Sequence, residues 1–136
     1  MIYVFDACAI ISYLHNEAGS DIIFDLLKKT ADGECAAYMN IINLIEVHYA
    51  NIRSLGAEQA TVILEKILSV PIHVVSDISD TIFQQTARLK ASYRCSLADA
   101  IGLATAIYLS GTFVTADHHE LDAVARKETL SFFWFR

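Results

Sequence analysis

The chain has 136 residues, of which 54% are hydrophobic and 19% are charged, and its formal net charge is −6. One Pro and five Gly are too few for a disordered or collagen-like chain, and three scattered cysteines argue against a disulfide framework or a zinc motif. The length predicts a single domain over residues 1–136. Because no segment has the pattern of a signal peptide or a membrane span, we expect a cytoplasmic protein.

Hydrophobic periodicity predicts strands that alternate with helices. In chain order, the first half contains a strand at 1–5, helices at 9–14 and 20–29, a strand at 34–39, and helices at 42–55 and 57–68. The second half contains a strand at 72–75, helices at 79–91 and 97–109, a strand at 112–115, a helix at 119–127 and a strand at 131–135. This order predicts an α/β fold, with a parallel sheet of four to five strands and helices on both faces.

Four acidic residues are expected to meet at one edge of this sheet. Asp6 and Asp117 each follow a predicted strand, and so lie at its carboxyl end. Asn43 to Glu46 and Ser96 to Asp99 have the spacing of a capping box, which places Glu46 and Asp99 in first helical turns. Helices that follow parallel strands begin at the carboxyl edge, where open α/β folds bind ligands. Taken singly, each acid is equally well explained as a helix cap or a loop residue.

Four carboxylates in one place repel each other, and a cation would offset that repulsion. Carboxylates with water favour Mg²⁺ or Mn²⁺, which activate water and neutralise charge on a phosphate. Nucleases, phosphatases and phospho-receiver domains all use such pockets. A dehalogenase-type phosphatase needs a second Asp where Cys8 stands, and a receiver domain needs an adjacent acid pair after the first strand. A nuclease is therefore favoured, although the net charge of −6 is unusual for a protein that binds nucleic acid.

The segments YVFDACAIISYL, NLIEV, SLADAIGLATAIY and FVTAD resemble the four ordered acidic motifs of the PIN-domain nucleases. Within that family the size and layout are most similar to the toxins of VapBC toxin–antitoxin modules. The resemblance extends from Tyr3 to about Leu121. It implies a PIN-like three-layer sandwich and a metal-dependent endoribonuclease that cleaves RNA by metal-activated water. A non-catalytic PIN-like binding module, whose acids hold a structural ion, is the alternative.

By resemblance, Asp6, Glu46, Asp99 and Asp117 form the catalytic and Mg²⁺- or Mn²⁺-binding set. Thr115 takes the place of the Thr in the family's Thr-x-Asp and would orient a carboxylate or a bound water. The chain departs from the family at Ala7 and Cys8, where a Ser or Thr and then a Ser or Asn are frequent. That departure removes a hydroxyl close to the metal site.

Several other side chains have competing interpretations. Arg88, Lys90 and Arg94 precede Asp99 and either contact RNA phosphates or form a solvated helix face. His118 and His119 are expected to open a surface helix rather than bind Mg²⁺, which prefers oxygen ligands. Asp122 is expected on a solvated face, and Cys8 is expected to be a small buried residue. The aromatic run 132–135 fits a terminal strand or a subunit contact better than an RNA-stacking platform, since its rings alternate between faces.

The helices at 20–29 and 41–68 carry apolar residues on more than one face. Residues 41–47 include more large aliphatic side chains than one buried helix stripe accommodates. Surplus apolar surface predicts protein partners. The resemblance implies a symmetric homodimer and a cognate antitoxin, one segment of which lies between these helices and reaches toward the acidic pocket.

Overall fold

Five strands and seven helices alternate along the chain in the computed structural model, which describes residues 1–136. The strands are β1 (Ile2–Phe5), β2 (Ala36–Asn40), β3 (Ile72–Val75), β4 (Thr112–Thr115) and β5 (Ser131–Trp134). The helices are α1 (Ala7–Leu14), α2 (Ser20–Ala31), α3 (Ile41–Leu55), α4 (Ala57–Ser69), α5 (Asp80–Ser92), α6 (Leu97–Leu109) and α7 (His118–Lys127). The predicted α/β class is thereby confirmed. None of the helices is both long and apolar enough to cross a membrane.

The sheet is parallel throughout, with the strand order β3-β2-β1-β4-β5. The first strand of the chain is therefore the central one, and it pairs with β2 on one side and β4 on the other. All five carboxyl ends lie along one edge of the sheet. The strand order reverses direction next to β1, which is where α/β sheets of this type open a ligand crevice.

Two hydrophobic cores cover the two faces of the sheet. Neighbouring residues on a strand point to opposite faces, so Phe5 and Val114 pack with α1, α2 and α4, whereas Val4 and Phe113 pack with α5, α6 and α7. Helix α6 contains many small residues and is buried along most of its length. This arrangement confirms the prediction of helices on both faces.

The start of α3 differs from the prediction. Asn40 at the end of β2 caps the helix, because its side-chain oxygen accepts a hydrogen bond of 2.9 Å from the Ile42 N–H. The helix therefore begins before Asn43, and Glu46 lies in the second turn rather than the first, so the capping box expected there was wrong. Ser96 does cap α6, and its hydroxyl accepts a bond of 3.0 Å from the Asp99 N–H.

Candidate active site

A cavity of about 360 Å³ opens at the carboxyl edge of the sheet, beside the end of β1. Four elements supply its acidic lining, namely the β1–α1 junction, α3, α6 and the β4–α7 junction. Their carboxyl residues on the cavity wall are Asp6, Glu46, Asp99 and Asp117. The structure thus brings all four acids of the sequence motifs to one place.

Asp6 is the most deeply buried of the four, with 3% of its surface exposed. It caps α1, with one side-chain oxygen accepting a bond of 2.8 Å from the Ala9 N–H and the other a bond of 3.2 Å from the Cys8 thiol. Burial raises the pKa of Asp6 to about 6, which outweighs the lowering by hydrogen bonds from Thr115, Ala9 and Cys8. The negative charge of Asp99 raises it further. The ionised carboxylate of Asp6 therefore has no positive charge beside it to stabilise it.

Glu46 and Asp99 face the cavity from two helices that are joined by a buried amide. The pKa of Asp99 is raised, first by burial and then by the charge of Asp117. The pKa of Glu46 is raised by burial and by the charge of Asp99. The Asn43 side chain donates a hydrogen bond of 3.0 Å to the carbonyl of Ala98, directly before Asp99. Its bond to Glu46 lowers the pKa of that residue.

Asp117 closes the cavity at the start of α7. Its side chain caps that helix by accepting a bond of 3.1 Å from the Glu120 N–H, while its own N–H donates to the Thr115 hydroxyl at 3.1 Å. Thr115 is fully buried, and its hydroxyl also hydrogen-bonds to Asp6. One hydroxyl therefore lies between the backbone of Asp117 and the carboxyl group of Asp6, and its role in orienting a carboxylate or a bound water stays a prediction.

Sequence reasoning missed a fifth acid on the cavity wall, Glu120. It lies three residues after Asp117, so the helical period alone places it on the same side of α7. Tyr49 on α3 was missed as well; it lies three residues after Glu46, lines the same cavity and is 42% exposed. The cavity thus has an aromatic side chain at its acidic wall.

The basic residues expected near RNA lie elsewhere. The Arg88 guanidinium forms two hydrogen bonds with the Glu128 carboxylate, at 2.7 and 3.2 Å, on a different cavity. Lys90 borders an apolar cavity between α5 and α6, and Arg94 is exposed just before Ser96. Of these three residues, only Arg94 is kept as a proposed RNA contact.

His118 and His119 are exposed and begin α7, as expected, and neither lines the acidic cavity. Asp122 is partly exposed, and it forms a hydrogen bond of 2.9 Å with the His118 ring. Cys8 is half-buried, and burial raises the pKa of its thiol. Its S–H group therefore stays protonated and serves as a hydrogen-bond donor to Asp6.

The donor chemistry of the cavity suits a hard divalent cation. No Lys, Arg or His side chain lines it, so nothing in the cavity offsets the acids. The buried Asp6 carboxylate is the side chain that would gain most from a cation. As they stand, no three Asp, Glu, His or Cys side chains converge on one point at ligand distance. This fits an ion that keeps several water ligands beside the carboxylates better than a closed cage of protein ligands.

Comparison with known families settles the classification. The model of the PIN domain family matches residues 3–127, which is most of the chain. The chain belongs to the PIN domain family. A comparison with curated protein sequences gave no match.

Solved structures show the same PIN fold at low sequence identity. A chain of VapBC2 from Rickettsia felis bound to a DNA fragment from their promoter is 19% identical with a TM-score of 0.76, over 98% of both chains. DNA-bound VapBC from Salmonella typhimurium is 17% identical with a TM-score of 0.75, over 100% of this chain and 99% of the other. Mycobacterium tuberculosis VapC20, a sarcin-ricin loop cleaving toxin, is 16% identical with a TM-score of 0.66, over 90% and 95%.

Proposed function

We propose that this PIN domain is an endoribonuclease that requires Mg²⁺ or Mn²⁺, and that it is the toxin of a toxin–antitoxin pair. The observation that carries the proposal is the cavity at the carboxyl edge of the sheet, where four acids meet without any basic side chain. The pKa values of Asp6, Asp99 and Glu46 are all raised there. Such a cluster of perturbed acids in a cleft is typical of a functional site.

Asp6, Glu46, Asp99 and Asp117 are the residues that would hold the cation. When bound, it supplies a water molecule acidic enough to attack a phosphodiester at neutral pH, and it offsets the charge that builds up on the phosphate. The chain's own contribution is geometric. Asp6 is fixed by hydrogen bonds from Ala9 and Cys8, and Asp117 is fixed by its cap of α7, so the carboxylates are oriented before any ligand arrives.

RNA is the favoured substrate because one structural neighbour, VapC20, is a toxin that cleaves the sarcin-ricin loop. We expect cleavage in single-stranded or loop segments, whose backbone reaches a cavity of this width more easily than a duplex does. Arg94 is the exposed cation nearest in sequence to Asp99 and is proposed to contact a phosphate. Because the proposed substrate is cellular RNA, we propose that the protein acts in the cytoplasm.

The partner proposal rests on two apolar surfaces. One is a groove of about 530 Å³ between α1, α2 and α4, with Ile10, Tyr13, Leu14, Leu27, Ile63 and Ile67 on its walls. We assign it to a segment of the antitoxin, since VapBC and FitAB neighbours are toxin–antitoxin assemblies and a groove suits an apolar helix. A basic side chain on that segment could enter the acidic cavity and displace the cation.

The other apolar surface was not foreseen from the sequence. It lies where α5 and α6 meet the start of α3, and its most exposed side chains are Phe83 and Leu97, each 61% exposed, and Ile78, 53% exposed. We assign this surface to a second copy of the chain in a symmetric homodimer. The assignment leaves the groove between α1, α2 and α4 free for the antitoxin.

The deciding experiment measures cleavage of a structured RNA by the purified parent and by Asp99→Asn. We expect the parent to cut with Mg²⁺ or Mn²⁺ and to stop with chelator, and we expect Asp99→Asn to lose the activity. Asp25→Asn removes an exposed carboxylate on α2 and should cut as the parent does. Equal rates for Asp99→Asn and the parent would overturn the mechanism. Stabilisation by Mg²⁺ without cleavage would instead support the non-catalytic module.

A further inference from the structure

Three aromatic rings form one continuous stack at the β5 edge of the sheet. Phe132 and Trp134 lie two residues apart on β5 and so share a face, and their rings stack at 5.2 Å with an interplanar angle of 9°. The His118 ring stacks on the other face of this pair, 4.1 Å from Trp134 at an angle of 16°. We call these three rings the aromatic column. Of the run 132–135, the alternate residue Phe133 faces the other core, where it meets the edge of Tyr3.

The outermost ring of the column is held in place and left partly open. His118 forms hydrogen bonds of 2.9 Å through one ring nitrogen to Asp122 and through the other to the carbonyl of Arg136. Both partners are hydrogen-bond acceptors, so the two bonds form together when each ring nitrogen carries a proton, and neither nitrogen is then free to bind a metal. One face of the ring lies on Trp134, yet half of the side chain is exposed to solvent. Because one ring face lies on Trp134 and both nitrogens have hydrogen-bond partners, we assign this exposure to the ring face that points away from Trp134.

The position of the column relates it to the acidic cavity. His118 directly follows Asp117, which lines that cavity, and Trp134 pairs in the sheet with Thr115 at the carboxyl end of β4. A polynucleotide with a phosphate at the cavity therefore has its neighbouring nucleotides within reach of the ring. Every nucleobase has a flat face that can stack on an aromatic ring, and unpaired bases do so without regard to sequence.

We propose that the open face of His118 stacks an unpaired base of the RNA substrate, next to the phosphate that lies at the acidic cavity. The proposal rests on the proposed nuclease function and adds a base-binding position to it. A ring fixed by two hydrogen bonds and by Trp134 loses little freedom when a base arrives, so most of the stacking energy contributes to affinity. The column thus orients single-stranded RNA without reading its sequence.

The first test measures binding of a fluorescently labelled single-stranded RNA hexamer, with Mg²⁺, to the inactive Asp99→Asn chain. Adding His118→Ala should weaken binding about 5- to 150-fold, the range typical of the loss of one base–aromatic stack. His118→Phe should restore binding because it keeps the ring. His73→Ala is the matched control, since His73 is tilted against Tyr38 at the opposite edge of the sheet and should not affect RNA.

The second test begins with the column unchanged. Trp134 is the only tryptophan in the chain, so its fluorescence reports on a base that stacks beside it. Saturating RNA should alter that emission. Abasic nucleotides placed one at a time along the hexamer should reveal one position whose loss of affinity does not add to that of His118→Ala, because both changes remove the same contact.

The outcomes separate this proposal from the nuclease itself. If the parent cuts RNA but His118→Ala binds and cuts equally well, or if every abasic loss adds to it, the base-binding role is wrong and the nuclease stands. A parent that neither binds nor cuts RNA overturns both. If His118→Ala does not fold, an emission of Trp134 that stays unchanged at saturating RNA overturns the base-binding role by itself.

Discussion

The side-chain amide of Asn43 donates a hydrogen bond of 3.0 Å to the carbonyl of Ala98, and so joins the two helices that carry Glu46 and Asp99. Asn43 is completely buried. Gly102 makes room for it, because a Cβ at that glycine would lie 2.9 Å from the Asn43 side-chain oxygen and 3.0 Å from the Phe113 ring. The spacing of two acids in the cavity thus depends on one amide in the core.

Asn43→Ala should therefore impair both folding and metal binding. Loss of a buried hydrogen bond lowers the free energy of unfolding by about 1–3 kcal/mol, and the freed helices should weaken Mg²⁺ affinity and RNA cleavage. Asn51→Ala is the matched control. It removes a buried amide on the same helix that bonds to His15, so it should lower stability without changing Mg²⁺ affinity. Equal metal affinity in Asn43→Ala and Asn51→Ala would contradict this role.

Without metal, the protein should become less stable as the pH rises from about 4 to above 6. The folded-state pKa of Asp6 is raised from 3.8 to about 6, so its contribution is fully present below pH 3.8 and is lost as the pH passes 6. A shift of this size corresponds to roughly 2–3 kcal/mol. Urea unfolding in chelator at pH 5 and pH 7 measures the part of this loss that falls between those two values, and Asp6→Asn should remove most of that part.

The ion pair between Glu128 and Arg88 changes folding stability with pH in the opposite direction and over a different pH range. Hydrogen bonds from Arg88 and Tyr93 lower the pKa of Glu128. Its contribution to folding stability is therefore present above the ordinary pKa of a glutamate, and it is lost as the pH falls through the lowered pKa of the folded state. It does not affect a comparison of pH 5 with pH 7. A parent whose stability is equal at those two pH values in chelator would show that the Asp6 charge is already compensated.

Mg²⁺ should raise the melting temperature of the parent more than that of Asp99→Asn. A ligand that binds only the folded state stabilises it by mass action. In chelator, Asp99→Asn should melt at a higher temperature than the parent, because the substitution removes charge repulsion from the cavity. Thermal melts of both chains with and without Mg²⁺ test this. Equal shifts in the two chains would place the cation outside the acidic cavity.

Cys8→Ser should bind Mg²⁺ at least as tightly as the parent. A serine hydroxyl can donate to Asp6 as the thiol does at 3.2 Å, and oxygen suits Mg²⁺ better than sulfur. Cys8→Ala should weaken the binding because Asp6 loses a hydrogen bond. Calorimetric titration of the three chains with Mg²⁺ gives the ranking. Tighter binding by Cys8→Ala than by Cys8→Ser would contradict it.

Phe83→Asp should convert the proposed dimer to a monomer. Phe83 is the most exposed phenylalanine, and a charge in the centre of an apolar contact is costly to bury. Phe24→Asp is the control, because Phe24 is 52% exposed on α2, on the other core face of the sheet. Light scattering at micromolar concentration should give a dimer for the parent and for Phe24→Asp. A monomeric parent would show that the dimer proposal is wrong, and it would not affect the nuclease proposal.

Patterns that depend on near neighbours in the sequence were enough to predict the fold class. Strands such as TFVT are short apolar runs, and the acids that follow them have to lie at the carboxyl edge. Details that depend on distant contacts were missed. The cap of α3 falls on Asn40 because β2 extends to that residue. The pairing of Arg88 with Glu128 joins residues 40 positions apart and leaves no local signature.

The aromatic run at β5 is a second case in which distant contacts could not be predicted from near neighbours in the sequence. Alternation along the strand was anticipated correctly, since Phe132 and Phe133 do face opposite cores. Nothing in the local pattern showed that His118, from another element, would complete a stack on Trp134. The stack could therefore not be predicted from the aromatic run alone. Sheet register, which sets Trp134 beside Thr115, brings the rings to the same edge of the sheet as the cavity.

The central place of β1 determines when during synthesis the acidic cavity can form. β1 leaves the ribosome first, but its neighbour β4 is made only after most of the chain has been translated. Until then Asp6 has neither Asp99 nor Asp117 beside it. Truncated or stalled products consequently lack the complete acidic cavity. Under the proposed function, a cell therefore has the whole period of translation in which to supply an antitoxin before the first active molecule is released.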